Sequence, residues 1–272
     1  MTDPLERIAA ALERIALATP SDTDWMTAPA YVWDGNSARS VAAIEAPPLE
    51  RLIGINAQKQ AVSENVARLA AGAAAHDMLL WGARGMGKSA LVRSATVAAQ
   101  ASGPTRLALV QVAADALPGL PALFALLGER QRNFLVYLDD LGFAEGDSVG
   151  PRHLRSWLEG GVEARPGNVR LAVTSNRRAI VPRHLAEQDD PVNPRDAIDD
   201  LQALADRFGL SVGFHNAGQD DYLAIVAAYA DPLGLTWERA DALEWAKRRG
   251  ARSGRTAWQY ITELAGRAGV RL

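Results

Sequence analysis

The decisive stretch of this sequence is Gly82-Ala83-Arg84-Gly85-Met86-Gly87-Lys88-Ser89, which fits the phosphate-loop pattern G-x-x-x-x-G-K-[ST] at every defined position. An apolar run at residues 78–81 predicts a buried strand before it, and residues 90–95 predict a helix after it. Glycines let the backbone wrap closely around a polyphosphate, and the following helix adds the positive end of its dipole. Lys88 is expected to reach the outer phosphates and the Ser89 hydroxyl to bind Mg²⁺, so the stretch predicts a nucleoside triphosphate site.

The composition is that of a globular protein with a substantial core. Of the 272 residues, 48% are hydrophobic and 22% are charged, which suits one large domain or a core with a smaller satellite. The net charge of −3 disfavours a wholly basic nucleic-acid binder but leaves room for a local basic patch. The absence of cysteine excludes disulfides, thiolate metal sites and cysteine nucleophiles. With neither a secretory signal nor an apolar stretch long enough to span a membrane, we expect a cytoplasmic protein.

The first 48 residues are expected to form a helix and an arm outside the main domain. Residues 4–18 carry apolar side chains at helical spacing and predict an amphipathic helix, which either packs on the core or contacts a partner. Residues 19–48 contain four prolines and predict an extended arm. Its aromatic residues, Trp25, Tyr31 and Trp33, indicate that the arm lies on the protein surface rather than floating free.

From residue 49 the pattern alternates between helix and strand. After a helix predicted at residues 56–75, five strands are predicted, at 78–81, 107–112, 134–138, 169–174 and 210–214. Their nearly continuous apolar runs are typical of strands buried on both faces, so residues 49–217 predict a five-stranded parallel sheet flanked by helices. The remaining residues, 218–272, predict a small helical domain, with helices at 220–230, 236–249 and 255–268.

Two acids, Asp139 and Asp140, follow the third predicted strand in the form of a Walker B motif. Because parallel sheets place ligands at the carboxyl ends of their strands, Asp139 is expected to join the Mg²⁺ shell opposite Ser89; the alternative is a pair of solvated acids. Asp140 stands where many ATPases place a glutamate that activates water. Its shorter side chain requires either a closer water molecule or help from Glu145.

Polar residues also follow the fourth predicted strand. Asn176 is positioned to orient an attacking water molecule or to sense the γ-phosphate, although asparagine is also an ordinary turn residue there. A basic cluster comes next, made of Arg177, Arg178, Arg183 and His184. It belongs either to the functional site or to a subunit contact. No second histidine lies at ligand spacing, so His184 is interpreted as a surface residue.

Two further arginines are candidates for contact with phosphate. Arg207, before the fifth predicted strand, is placed either to enter the site of a neighbouring subunit or to pair with an acid of its own chain. Arg252 or Arg255, at the start of the last predicted helix, is placed either to reach the phosphates from the small domain or to remain solvated. Ser253 is expected to cap that helix.

The order of these motifs resembles an AAA+ ATPase and, more narrowly, a bacterial family of predicted AAA+ ATPases classed as a domain of unknown function. The resemblance covers about residues 49–270 and rests on Leu52-Ile53-Gly54-Ile55, Gln58-Lys59, the phosphate loop, Asp139-Asp140-Leu141, Thr174-Ser175-Asn176-Arg177-Arg178, Asp206-Arg207-Phe208-Gly209-Leu210 and Arg252-Ser253-Gly254-Arg255. It implies a five-stranded sheet with the phosphate-loop strand at its centre, a helical lid and a ring-like homo-oligomer.

The resemblance also implies ATP and Mg²⁺ as cofactors and a role for each motif. Residues 53–55 would line the adenine pocket, Asn176 would be sensor 1, Arg207 the arginine finger and Arg255 sensor 2. The residues expected to contact the nucleotide are Ile53, Gly54, Gly82, Ala83, Arg84, Gly85, Met86, Gly87, Lys88, Ser89 and Ala90. The expected metal ligands are Ser89 and Asp139, and the expected catalytic residues are Asp140, Asn176, Arg207 and Arg255.

Three functions are compatible with these motifs. The leading hypothesis is an ATPase that remodels an unidentified protein or nucleic acid. A helper of the helicase-loader type is an alternative, because residues 113–132 lack the aromatic-hydrophobic-glycine loop of protein-threading members; their one aromatic residue, Phe124, is expected in the core. A kinase of a small metabolite is a further alternative, which shares only the phosphate loop. A GTPase is disfavoured, because the sequence contains no Asn-Lys-x-Asp run to read guanine.

Overall fold

The computed structural model describes residues 23–101, 106–113, 115–141, 158, 165–176 and 207–272. In these residues the strands are β1 (Ala30–Trp33), β2 (Ala38–Val41), β3 (Met78–Gly82), β4 (Leu107–Val112), β5 (Asn133–Leu138), β6 (Val169–Ser175) and β7 (Leu210–Phe214). The α-helices are α1 (Asn56–Ala70), α2 (Lys88–Ala101), α3 (Leu120–Gly128), α4 (Gln219–Ala230), α5 (Arg239–Arg248) and α6 (Gly254–Ala268). Short 3-10 helices occur at Leu49–Arg51, Leu117–Gly119 and Asp231–Leu233.

The strands form one sheet in the order β2-β1-β4-β5-β6-β3-β7, and every neighbouring pair is parallel except β1 with β2. The predicted α/β class with C-terminal helices is confirmed, although the sheet has seven strands where five were expected. Strand β3, which leads into the phosphate loop, is second from the edge rather than central. It is still paired on both sides, by β6 and β7, and its apolar residues are covered on both faces of the sheet.

The two additional strands come from the predicted arm. Strand β1 pairs in parallel with β4, and Arg132 also ties the arm to the sheet by donating to the carbonyls of Trp25 and Leu107 at 2.8 and 3.2 Å. The aromatic residues of the arm are 0–4% exposed and belong to the core, so the arm packs against the protein as expected, but it does so as two strands of the sheet. Four-residue strands are too short to show a clear alternation, and the partner of β1 lies far along the chain.

Two hydrophobic clusters cover the two faces of the sheet. One contains residues of β3, α1, α2 and the C-terminal helices; the other contains the buried side chains of the arm and of α3, including Phe124 as predicted. Helix α1 ends at Ala70 rather than near residue 75 because Gly72 takes a left-handed φ of 73°, which ends the helix. Of the described helices, none is long and apolar enough to cross a membrane.

The strand order brings the predicted motifs together. Strands β5, β6 and β3 are parallel neighbours, so their carboxyl ends meet at one edge of the sheet. The phosphate loop follows β3, the two acids follow β5 and Asn176 follows β6. Four predicted features lie outside the described residues: the helix at residues 4–18, Glu145, the basic cluster at 177, 178 and 183, and His184.

Candidate functional site

A cleft of about 610 Å³ lies at this edge of the sheet. It is enclosed by the segment before α1, the loop between β3 and α2, the ends of β5 and β6, and helices α4 and α6. The predicted residues that line it are Ile53, Ile55, Arg84, Gly85, Met86, Gly87, Lys88, Ser89, Ala90, Asp139, Asp140, Asn176 and Arg255. Gly54, Gly82, Ala83, Arg207 and Arg252 do not line it.

Two glycines of the phosphate loop, Gly82 and Gly85, are required for different reasons. Gly82 has φ 122°, and a Cβ there would lie 2.0 Å from the carbonyl oxygen of Phe214 on the neighbouring strand. The next residue, Ala83, donates its N–H to that same carbonyl at 2.8 Å. Gly85 has φ 74°, and a Cβ there would lie 2.9 Å from both the Ser253 hydroxyl and the Arg255 Cβ. The loop is therefore fitted between β7 and the start of α6.

Lys88 is buried in the loop and turned towards its backbone. Its Nζ donates to the carbonyl oxygens of Gly82 and Ala83, both at 2.8 Å, and to Asn176 Oδ1 at 3.2 Å. Burial lowers the pKa of Lys88 below its usual range, and the carboxylates of Asp140 and Asp139 limit this shift. An ammonium group held at this place is suited to a phosphate oxygen, which would replace one of the three acceptors.

A second group of hydrogen bonds joins the loop to the end of β5. Asp139 Oδ1 accepts from Ser89 Oγ and from Thr174 Oγ1, each at 2.7 Å, and Thr174 Oγ1 accepts from the backbone N–H of Asp140 at 2.8 Å. Burial would raise the pKa of Asp139, but the surrounding hydroxyl groups, with that of Tyr137 the largest influence among them, hold it below its usual range.

The chemistry of this donor set fits Mg²⁺. A hydroxyl and a charged carboxylate lie side by side at Ser89 and Asp139, and Mg²⁺ usually takes one or two protein oxygens together with phosphate oxygens and water. No group of three or more acidic or histidine ligands occurs in the part of the chain that the structure describes. The two residues would therefore hold the ion together with the phosphates rather than alone.

Asp140 and Asn176 form the next pair. Asp140 has φ 52°, a left-handed conformation that aspartate and asparagine tolerate better than most other residues. The Nδ2 group of Asn176 donates to Asp140 Oδ1, while its Oδ1 accepts from Lys88. Asn176 thus connects the predicted water-activating acid to the predicted phosphate-binding lysine.

Another part of the cleft lining is apolar and aromatic. Ile53 and Ile225 line it, together with Tyr229 of α4 and Trp258 of α6. The rings of Tyr229 and Trp258 meet edge to face with centroids 5.1 Å apart, and Trp258 is 41% exposed. A flat, exposed indole beside aliphatic side chains suits a nucleotide base. Gly54 does not line this part, but its φ of 78° turns the chain that carries Ile53.

Sequence reasoning missed several lining residues, of which Thr174, Arg93, Tyr229 and Trp258 carry the most chemistry. Two of them had a signal in helical spacing. Arg93 follows Ser89 by four residues on α2, and Trp258 follows Arg255 by three on α6, so each shares a helix face with a predicted residue. Tyr229 had no such signal, because no predicted site residue lies on α4.

Arg207 lies near the amino ends of the strands, away from the cleft at their carboxyl ends. It precedes β7, and β7 runs parallel to β3, so Arg207 is at the amino ends of the strands while the phosphate loop is at their carboxyl ends. It is partly exposed and does not contribute to the cleft of its own chain. The structure therefore separates Arg207 from the other predicted residues.

Residues 26–268 match the family model described as "Protein of unknown function (DUF815)". Among solved structures, the chain is similar to the Thermotoga maritima RuvB Holliday junction branch migration motor, with 18% identity and a TM-score of 0.53 over 82% of this chain and 66% of that one. It is also similar to the Aeropyrum pernix ORC1 protein in complex with DNA, with 15% identity and a TM-score of 0.55 over 81% of this chain and 65% of that one. The chain spans about two thirds of the length of these structures. No curated protein matches it by sequence.

Proposed function

This chain belongs to the DUF815 family and has the AAA+ fold, and we propose that it is a magnesium-dependent ATPase that acts within an oligomer. One observation carries the proposal: Asn176 hydrogen-bonds to both Lys88 and Asp140 in a single cleft. The cation for the outer phosphates and the acid for the attacking water are thereby coupled through one amide. Such coupling serves hydrolysis, whereas binding alone requires only the loop.

In this proposal each end of the cleft has its own task. The phosphate loop and Lys88 hold the phosphates, and Trp258 contacts the base. Ser89 and Asp139 would hold Mg²⁺, which would supply positive charge to balance that of the phosphates. Asp140 orients and deprotonates the water molecule, and its contact with Asn176 keeps the carboxylate aimed at the phosphate end of the cleft.

We further propose that hydrolysis occurs at subunit interfaces in a ring-like homo-oligomer. The position of Arg207 supports this, because the residue precedes β7 at the amino ends of the strands and does not line its own cleft. A guanidinium supplied by a neighbour neutralises charge that develops on the transferred phosphoryl group. Residues 218–272 act as the lid in this scheme, and their movement on hydrolysis remodels a client protein or nucleic acid.

The test is nucleotide binding and turnover by the purified chain. With Mg²⁺ present, the wild type should bind ATP and release phosphate. Lys88→Ala should lower ATP affinity at least about tenfold, because the cation at the phosphates is lost. Its far-UV circular dichroism should match the wild type. Equal ATP affinity in the two proteins would contradict the proposed position of the phosphates.

A nucleic-acid client is a second candidate. Its support is that one similar structure is a Holliday junction branch migration motor and the other is a protein in complex with DNA. Fluorescence anisotropy with labelled single- and double-stranded DNA at low and moderate salt tests it. Binding that weakens as salt rises would favour this candidate, since phosphate contacts release counterions. No binding at low salt would exclude it.

A further inference from the structure

Tyr137 is a buried residue that has no role in the mechanism proposed above. It lies on β5, is 1% exposed, and its hydroxyl has no hydrogen-bond partner among the described residues. A buried hydroxyl without a partner loses its hydration and gains nothing in return. A phenylalanine would fill the same space without this cost, so the hydroxyl requires an explanation.

The surroundings of this hydroxyl indicate its task. Tyr137 precedes Asp139 by two residues, so strand alternation directs both side chains to the same face of the sheet. Burial raises the pKa of Tyr137, and the Asp139 carboxylate raises it further. A phenol keeps its proton at neutral pH, so the hydroxyl is available as a donor to the carboxylate on that face. It is close enough to influence Asp139, but its geometry is not that of a hydrogen bond.

The hydrogen bonds already made by Asp139 leave room for one more. Its Oδ1 accepts from Ser89 and Thr174, each at 2.7 Å, and both of these hydroxyls approach the same oxygen. A carboxylate that also holds Mg²⁺ is best oriented when a donor fixes it from the protein side. Tyr137 is buried away from solvent, in the core cluster that α1 and α2 share with this face of the sheet.

We propose that Tyr137 is a positioning residue for the Mg²⁺ site: its hydroxyl donates to the Asp139 carboxylate when metal and nucleotide are bound. The proposal rests on the function proposed above. It explains why the hydroxyl lacks a partner here, since a small shift of the carboxylate completes the bond. No covalent step is involved, and the effect is on affinity for the ion.

The experiment compares Tyr137→Phe with the wild type and with Tyr222→Phe. Tyr222 is the matched control, because its hydroxyl is equally buried and unpartnered but belongs to α4, away from the two acids. ATP affinity is measured in EDTA and then across a Mg²⁺ titration, with thermal unfolding of each protein measured in parallel. Tyr137→Phe should need about tenfold more Mg²⁺ to reach half of its effect on ATP affinity, while Tyr222→Phe should match the wild type.

Two further readouts separate this role from a structural one. ATP affinity in EDTA should be the same in all three proteins, and the melting temperature of Tyr137→Phe should equal or exceed that of the wild type. An unchanged Mg²⁺ requirement, or a lower melting temperature without metal, would overturn the role of Tyr137 alone. A wild type that binds no ATP in either condition would instead overturn the proposed function.

Discussion

The backbone N–H of Arg255 donates to the carbonyl oxygen of Gly85 at 3.2 Å, which fastens the first turn of α6 to the phosphate loop. Ser253 caps this helix by accepting from the N–H of Thr256 at 3.2 Å, as the sequence predicted. The positive end of the α6 dipole thus lies beside the loop, and the side chain of Arg255 lines the cleft. A change in the loop is therefore expected to reach the C-terminal helices directly.

Replacing Gly85 with alanine tests this contact. The new Cβ would meet the Arg255 Cβ and the Ser253 hydroxyl at 2.9 Å, in a left-handed backbone that disfavours alanine. We expect a loss of about 1–3 kcal/mol in the free energy of unfolding, faster hydrogen exchange at the start of α6, and weaker ATP binding. Gly266→Ala is the control, because that glycine lies in α6 with open space around it. It should be neutral or stabilising, and equal behaviour of the two variants would refute the coupling.

Arg207 allows a test of catalysis between subunits. Arg207→Ala should bind ATP normally but hydrolyse it slowly, and Lys88→Ala should be inactive because it does not hold the nucleotide. A mixture of the two should recover activity, since an intact cleft on one subunit can receive the arginine of the other. In an equimolar mixture about one quarter of the interfaces are complete in this way. A mixture no more active than the sum of its parts would exclude the proposed role.

The left-handed backbone at Asp140 separates two substitutions that are usually treated alike. Asp140→Asn should retain the fold and bind ATP while lowering hydrolysis at least about 100-fold, because asparagine tolerates the observed φ of 52° but cannot accept a proton. Asp140→Glu should cost about 1 kcal/mol of stability and should not exceed the wild-type rate. Phosphate release and thermal unfolding measure both effects. A faster Glu variant would mean that side-chain length, rather than backbone conformation, limits this site.

Trp258 separates the base end of the cleft from the phosphate end. Trp258→Ala should weaken ATP and ADP binding about tenfold through loss of the exposed indole, while inorganic tripolyphosphate should bind unchanged. Trp258→Phe should retain most of the affinity because it keeps an aromatic face. Competition against a fluorescent nucleotide measures all three ligands. Equal losses for ATP and tripolyphosphate would mean that Trp258 does not contact the base.

The phosphate edge of the site was predictable because it is local in sequence. The loop at residues 82–89, the acids after β5 and Asn176 after β6 each follow a recognisable apolar strand, and the rule for parallel sheets brings the strand ends together. Thr174 could not be assigned from sequence, since its role depends on hydrogen bonds to Asp139 and Asp140, which lie about 35 residues earlier.

The apolar end and the sheet edge depended on contacts that no local pattern records. Tyr229 and Trp258 meet across two helices, and only the packing of α4 against α6 brings them to the cleft. Strand β1 was missed because its pairing with β4 spans some 80 residues. Prolines around a short strand favour the interpretation as an arm, and long-range pairing overrides that local preference.

The β1–β2 hairpin also bears on self-association through the edge of the sheet. Strand β4 is almost entirely apolar, and without the hairpin its outer edge would offer unpaired N–H and C=O groups along a run that favours aggregation. The hairpin moves the edge to β2, which is only four residues long and carries the exposed Arg39. Residues 30–41 thus hinder self-association through the edge of the sheet. A fragment that begins at residue 49 would lack this hairpin.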